Sequence, residues 1–294
     1  MKNTTLFKTM TARLLRLLPN KAEKKAMVPH QSISKKKDFL IETSIRDTYI
    51  SCYYPKNPVR ETLPVYINFH GGAFIMHSKD MDDPYCRYLA NETGWVVINV
   101  DYAKAPEYPF PEPLEQSYEI IEWIKVRAGD LGIDPKKFAL GGQSSGANIA
   151  ASLCLLLKQK SSTLPLLQVL SCPMLDLVTP HAQKPEHDYF RAKYPQMAGF
   201  LNACYVPDEK KAANPLASPV FADVQDTAPA LIISAGHDAF EPEAELYARK
   251  LRAAGIHVRY ESFKECTHAF THLGPRDKAI EAWDIIAEEI KDSL

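Results

Sequence analysis

The sequence predicts an α/β protein: one mostly parallel, twisted sheet with helices on both faces and a small helical cap. Short apolar runs recur along the chain with helical patterns between most of them, the alternation of a doubly covered parallel sheet. A 294-residue chain with 46% hydrophobic content can bury a large core, roughly three quarters of its unfolded surface, so one large domain is expected. There is no fixed-period repeat and no apolar stretch long enough to span a bilayer, which sets aside solenoids and helical membrane proteins.

Taken in order, residues 1–38 form a basic arm. Residues 1–37 hold ten Lys/Arg against one acid, Glu23. That is a net of about +9, and since the whole chain has 35 Lys+Arg and 36 Asp+Glu, the remainder carries about −10. Phe7, Met10, Leu14, Leu17 and Leu18 fall near helical spacing, with Lys8, Arg13 and Arg16 between them. Arg16 splits the leucine pairs and no small-residue cleavage site follows, so a signal peptide is not expected. Residues 39–54 read as an antiparallel hairpin. Strands are expected at 64–69, 95–100, 137–141, 166–171, 229–235 and 256–263, and a final helix from about Ala279. The stretch 173–228 breaks the rhythm: it is long and carries Tyr189, Phe190, Tyr194, Phe200 and Tyr205. Six scattered cysteines, without metal-binding spacing or an export signal, point to reduced thiols and no metal site.

The chemistry concentrates at Gly142-Gln143-Ser144-Ser145-Gly146, a G-x-S-x-G run between an apolar strand and a helix-like stretch. The glycines permit a sharp turn that lifts Ser144 above the sheet edge, and the helix starting there aims its free N–H groups at developing negative charge. A serine hydroxyl needs a base, an acid to orient that base, and N–H donors for an oxyanion. The loop His70-Gly-Gly-Ala-Phe74 follows a strand upstream, and Gly72 and Ala73 N–H groups, with that of Ser145, are the expected donors. Gly71 supplies the turn, and His70 is expected to anchor the loop. Asp238, just past the strand at 230–236, is the expected acid; Glu241 and Glu243 are rivals that fit the first turn of the next helix. His268, after the last strand, is the expected base, with His237, His257 and His272 as competitors. Read as a cap over Ser144, the insertion at about 173–228 would line a pocket with its aromatics.

These pieces together resemble the hormone-sensitive-lipase-like family of α/β-hydrolases. The resemblance rests on His70–Phe74, Asp101-Tyr-Ala-Lys-Ala-Pro-Glu-Tyr-Pro-Phe-Pro111, the Ser144 turn, Asn214-Pro-Leu-Ala-Ser-Pro219, Gly236-His-Asp238 and Thr267-His-Ala-Phe270, in family order. It implies an α/β-hydrolase domain over 39–294 whose Ser144, Asp238 and His268 hydrolyse small carboxylic esters, usually short-chain, without cofactor or metal. It also implies that the N-terminal arm joins the cap, burying Leu and Phe against the insertion. The second reading of the arm is weak contact with an anionic membrane surface. Four departures bear on specificity: Ala73 stands where the family usually has a third glycine, Gln143 where aspartate is usual, Ser145 where alanine is frequent, and His77 where glycine is common. Amide hydrolysis, or an idle small-molecule-binding homologue, is the alternative. No nucleic-acid partner is expected, a cytoplasmic location is, and oligomeric state is left open.

Overall fold

In the computed structural model, which describes residues 5–17 and 25–294, the apolar runs become eight strands. These are β1 (Lys35–Ile41), β2 (Thr48–Tyr54), β3 (Leu63–Phe69), β4 (Val96–Val100), β5 (Ile133–Gln143), β6 (Gln168–Ser171), β7 (Ala230–His237) and β8 (Val258–Thr267). They form one sheet in the order β1-β2-β4-β3-β5-β6-β7-β8. β1 and β2 are an antiparallel hairpin, β2 pairs antiparallel with β4, and every other pair is parallel. The hairpin begins at Lys35 rather than 39, and β5 is longer than the apolar run that announced it.

The central strands β3 and β4 are buried throughout, as strands covered on both faces must be. Their side chains still alternate. Val65, Ile67, Phe69, Val96, Ile98 and Val100 enter one core, while Tyr66 and Val97 enter the other. The first core is closed by helices α3 (Glu112–Val126), α4 (Ser145–Gln159) and α6 (Glu241–Ala253), the second by α2 (Asp83–Thr93) and α7 (Arg276–Asp292). Three consecutive lysines on the edge strand β1, Lys35 to Lys37, discourage pairing with another sheet.

Between β6 and β7 the chain leaves the sheet and forms α5 (Pro195–Tyr205), preceded by the one-turn helix Tyr189–Lys193. Both ends of this excursion return to the main core, through Leu175 and Leu177 on one side and Ala217, Val220, Ala222 and Val224 on the other. Cys204, Tyr205, Val206 and Ala212 from its middle join the same core.

The N-terminal helix α1 (Thr5–Arg16) lies on α5, but not as its apolar spacing suggested. Phe7 packs edge-on against Phe200 at 6.3 Å and Ala12 is buried. Leu6, Met10, Leu14 and Leu17 face away from the protein, and Leu18 lies outside the described residues. Cationic side chains make the attachment. Arg16 donates to both Glu107 oxygens and to the carbonyls of Ile75 and Ala105, and Lys8 donates to the Ala203 carbonyl. The guanidinium of Arg16 is thus satisfied at four acceptors, and this orientation leaves the leucines outside. Among the described residues, no helix is long and apolar enough to cross a membrane.

Candidate active site

Every side chain assigned to chemistry from the sequence lies at the carboxyl end of the sheet, where open α/β sheets place their ligands. Phe69, the last residue of β3, pairs with Gly142 of β5, so the loop after β3 and the turn after β5 emerge side by side. A Cβ at Gly142 or Gly146 would collide with the Phe69 carbonyl. That close approach is what demands glycine at both positions, and it forces Ser144 to φ +53°. The strained backbone is pinned by the Ser144 N–H donating to the Ser171 carbonyl at 2.9 Å and by the Asn148 N–H donating to the Ser144 carbonyl at 3.1 Å.

β7 and β8 end beside each other, with His237 opposite Thr267. The next residue of each strand is Asp238 and His268, and the two meet: His268 Nδ1 lies 2.7 Å from Asp238 Oδ2, and Nε2 lies 3.1 Å from Ser144 Oγ. An ionised carboxylate only accepts, so Nδ1 carries the proton and Nε2 is left to accept from the serine hydroxyl. Burial pushes the Asp238 carboxyl upward. The charge and hydrogen bond of His268, the Phe240 N–H and Arg191 overcome it and hold the group below its ordinary value. The pair therefore keeps the acid ionised where it orients the imidazole.

The rivals are occupied elsewhere. His272 is buried and bonded to Asp82 at 3.0 Å through Nε2 and to Thr271 through Nδ1. His257 is exposed near Glu289 and His237 stacks toward His187. Glu241 accepts from Ser262, and Glu243 is paired with Lys184 and the Leu175 N–H.

Among the described residues, the N–H groups of Gly72, Ala73 and Ser145 have no protein acceptor. Ala73 and Phe74 both hold positive φ, +52° and +63°, and the Gly72 carbonyl accepts from Ile75 and Met76 N–H groups to close the loop. The Gly71 carbonyl receives the His70 ring at 2.7 Å, and that ring stacks on Tyr102. Gly71, Gly72, Ala73, Ser144 and His268 line one cavity of about 260 Å³.

The rest of the wall is mostly apolar: Met76, Met81, Met174, Leu201, Phe240 and Leu273, with His77 and Gln143 also present. The excursion contributes Met174, His181, Arg191, Ala198, Leu201 and Asn202. Three of the five aromatics expected to line it lie elsewhere. Phe200 meets α1, Tyr205 stacks on Phe74 behind the loop at 3.6 Å, and Tyr194 is at the surface; the Tyr189 and Phe190 side chains lie outside the described set. Gln143 reaches Thr271 at 3.3 Å, so the position expected to tune specificity is tied to the structure behind Ser144.

One site residue carried no sequence signal. Cys172, buried and at φ +42°, brings its sulfur within 4.8 Å of the Asp238 and His268 ligand atoms. The trio does not suit a metal: burial, then Asp238, push the thiol far above its ordinary range, and the other two groups are bonded to each other. Cys266, near His268 in sequence, packs in the second core.

Comparison with known proteins bears on the fold and the family. Residues 66–272 match the protein family described as alpha/beta hydrolase fold. An arylesterase of Saccharolobus solfataricus is 32% identical over 246 residues, covering 83% of this chain and 79% of that protein. An ethyl acetate hydrolase of Pseudomonas putida is 30% identical over 233 residues, covering 76% and 72%. Among solved structures, EstE1, a thermostable carboxylesterase cloned from a metagenomic library, superposes with a TM-score of 0.86 at 29% identity, covering 98% of this chain and 97% of that one.

Proposed function

The chain belongs to the hormone-sensitive-lipase-like, carboxylesterase-type family of α/β-hydrolases, and from that membership we propose that it hydrolyses small, short-chain carboxylic esters through Ser144. The observation that carries the reading is the unbroken hydrogen-bonded chain Asp238–His268–Ser144 opening into an apolar cavity. His268 Nε2 takes the hydroxyl proton as Ser144 Oγ attacks the ester carbonyl. Asp238 holds the tautomer and stabilises the imidazolium that forms. The Gly72, Ala73 and Ser145 N–H groups meet the oxyanion, each donor lowering the barrier by roughly 2–4 kcal/mol. The tetrahedral intermediate collapses as His268 returns the proton to the departing alcohol. A water, deprotonated by the same nitrogen, then releases the acid from Ser144.

The volume supports a preference for small esters. A cavity of about 260 Å³ lies below the roughly 300–1,000 Å³ that holds drug-sized ligands. The middle of the 173–228 excursion, with α1 laid across it, acts as the cap that sets this limit.

The test is a p-nitrophenyl ester series, acetyl through dodecanoyl, on wild type and Ser144→Ala. The expected result is hydrolysis peaking at short chains and a fall of about 10⁴-fold or more in kcat for the variant. Near-normal turnover by Ser144→Ala would refute the assignment, and absence of ester turnover by wild type would point to an amide hydrolase or a binding protein.

A further inference from the structure

α1 is mounted with its apolar side outward. Leu6, Met10, Leu14 and Leu17 are 70%, 58%, 65% and 79% exposed, and their spacing of four, four and three residues puts them on one helical face. Arg13, three residues after Met10 and four before Leu17, borders this face: its side chain is 71% exposed, and its Nε lies 3.7 Å from Glu107 Oε1. The opposite face is fixed to the protein by Lys8, Ala12 and Arg16. Rolling the helix to bury the leucines would strip the four Arg16 hydrogen bonds, so the outward apolar face is a settled feature of the fold. It is continuous with the cap: Phe7 sits on Phe200 of α5, and Met197 of α5 is itself 43% exposed. Ala198, Leu201 and Asn202 of that same helix line the cavity, so α5 stands between α1 and Ser144.

We propose that this face docks on an anionic lipid surface, with Leu6, Met10, Leu14 and Leu17 entering the headgroup boundary and the cap held against it. Charge selects the partner. The first 37 residues carry about +9 and the rest of the chain about −10. Lys8 and Arg16 are held by the protein and Lys35–Lys37 lie on β1, so among the described residues Arg13 is the exposed cation beside the apolar face. An anionic surface attracts the basic arm while it repels the acidic remainder. Area argues against a second copy of the chain. A 12-residue helix is about 18 Å long and about 10–12 Å across, and one face of it falls well short of the roughly 800 Å² per partner of a stable protein interface. A bilayer requires only an apolar stripe flanked by cations.

The experiment is co-sedimentation of the full-length protein with phosphatidylglycerol-containing vesicles and with pure phosphatidylcholine vesicles at low salt, for wild type and Leu14→Glu/Leu17→Glu. Wild type is expected to prefer the anionic vesicles by about tenfold or more. The double variant is expected to bind them about tenfold to 100-fold more weakly, with an unchanged thermal midpoint showing that it folds. Failure of wild type to bind anionic vesicles overturns the proposal. So does undiminished binding by the double variant, which would assign the contact to the basic residues alone. A wild-type dimer that the double variant dissociates, without vesicle binding, would assign the face to a second copy. None of these readouts uses ester turnover, so the proposal stands or falls separately from the catalytic reading.

Discussion

Ser144 and Ala73 both hold a backbone conformation that suits glycine, at φ +53° and +52°. Each non-glycine residue there costs on the order of 1–3 kcal/mol. For Ser144 the side chain is the reason for keeping it. For Ala73 the residue adds only a methyl, on a loop whose neighbours Gly71 and Gly72 share the cavity wall. Ala73 itself lines that cavity, which makes its methyl testable as a limit on substrate space. Ala73→Gly should change stability by no more than about 1 kcal/mol, and raise kcat/KM for hexanoyl relative to acetyl p-nitrophenyl esters by about 3–10-fold. An unchanged ratio would place the methyl off the acyl path. Positive φ is set by what presses on the turn, so these strained positions could not be read locally, except where the G-x-S-x-G pattern advertises one.

At the scale of elements, the catalytic loops are held by a second buried pair that sequence reading did not anticipate. Asp82, just ahead of α2, accepts from His272, which belongs to the one-turn helix Phe270–Leu273 two residues beyond His268, and from Asn68 of β3. It thus ties the segment carrying His268 to the strand that launches the Gly71–Ala73 loop. Burial pushes the Asp82 carboxyl up, but the His272 hydrogen bond and charge prevail and hold it below its usual value. A depressed folded pKa contributes stability above the unfolded value, about 3.9, and that contribution is lost as pH falls through the folded pKa. Asp82→Asn should therefore cost about 3–5 kcal/mol near neutral pH and remove that part of the acid-side slope, measured by urea unfolding between neutral and acid pH. Equal losses at both ends of that range would show that Asp82 does not act as an ion. The strands themselves were legible because apolar runs and period-two alternation are local properties. The Asp82–His272 bond spans 190 residues, and no spacing rule links such positions.

Across the whole molecule, the cap we propose draws on two distant pieces of chain. Lys8 on the Ala203 carbonyl and Phe7 on Phe200 join α1 to α5, and Arg16 clamps the loop at Ile75, Ala105 and Glu107 beside the oxyanion residues. If this staple limits the cavity, removing residues 1–17 should lower the thermal midpoint and move the p-nitrophenyl optimum toward longer acyl chains by several-fold in relative kcat/KM. A truncated protein with the wild-type chain-length profile would exclude a cap role for the arm.

By itself, the sequence determined the α/β class, the strand order along the chain, the glycine-flanked serine and the candidate acid and base on the two loops that follow β7 and β8. Each of these is written in local patterns, because a strand, a tight turn or a helix start depends on a few neighbouring residues. Tertiary structure decided which side of α1 faces water, why His272 does not compete with His268 for Asp238, and that Phe200, Tyr194 and Tyr205 serve elsewhere while aliphatic and sulfur-bearing side chains line much of the cavity. Those outcomes depend on which donors find acceptors across the fold. Arg16 at four oxygens leaves the leucine stripe outside, and His272 bound to Asp82 is unavailable to Ser144. Such competition is settled only once distant residues are packed together.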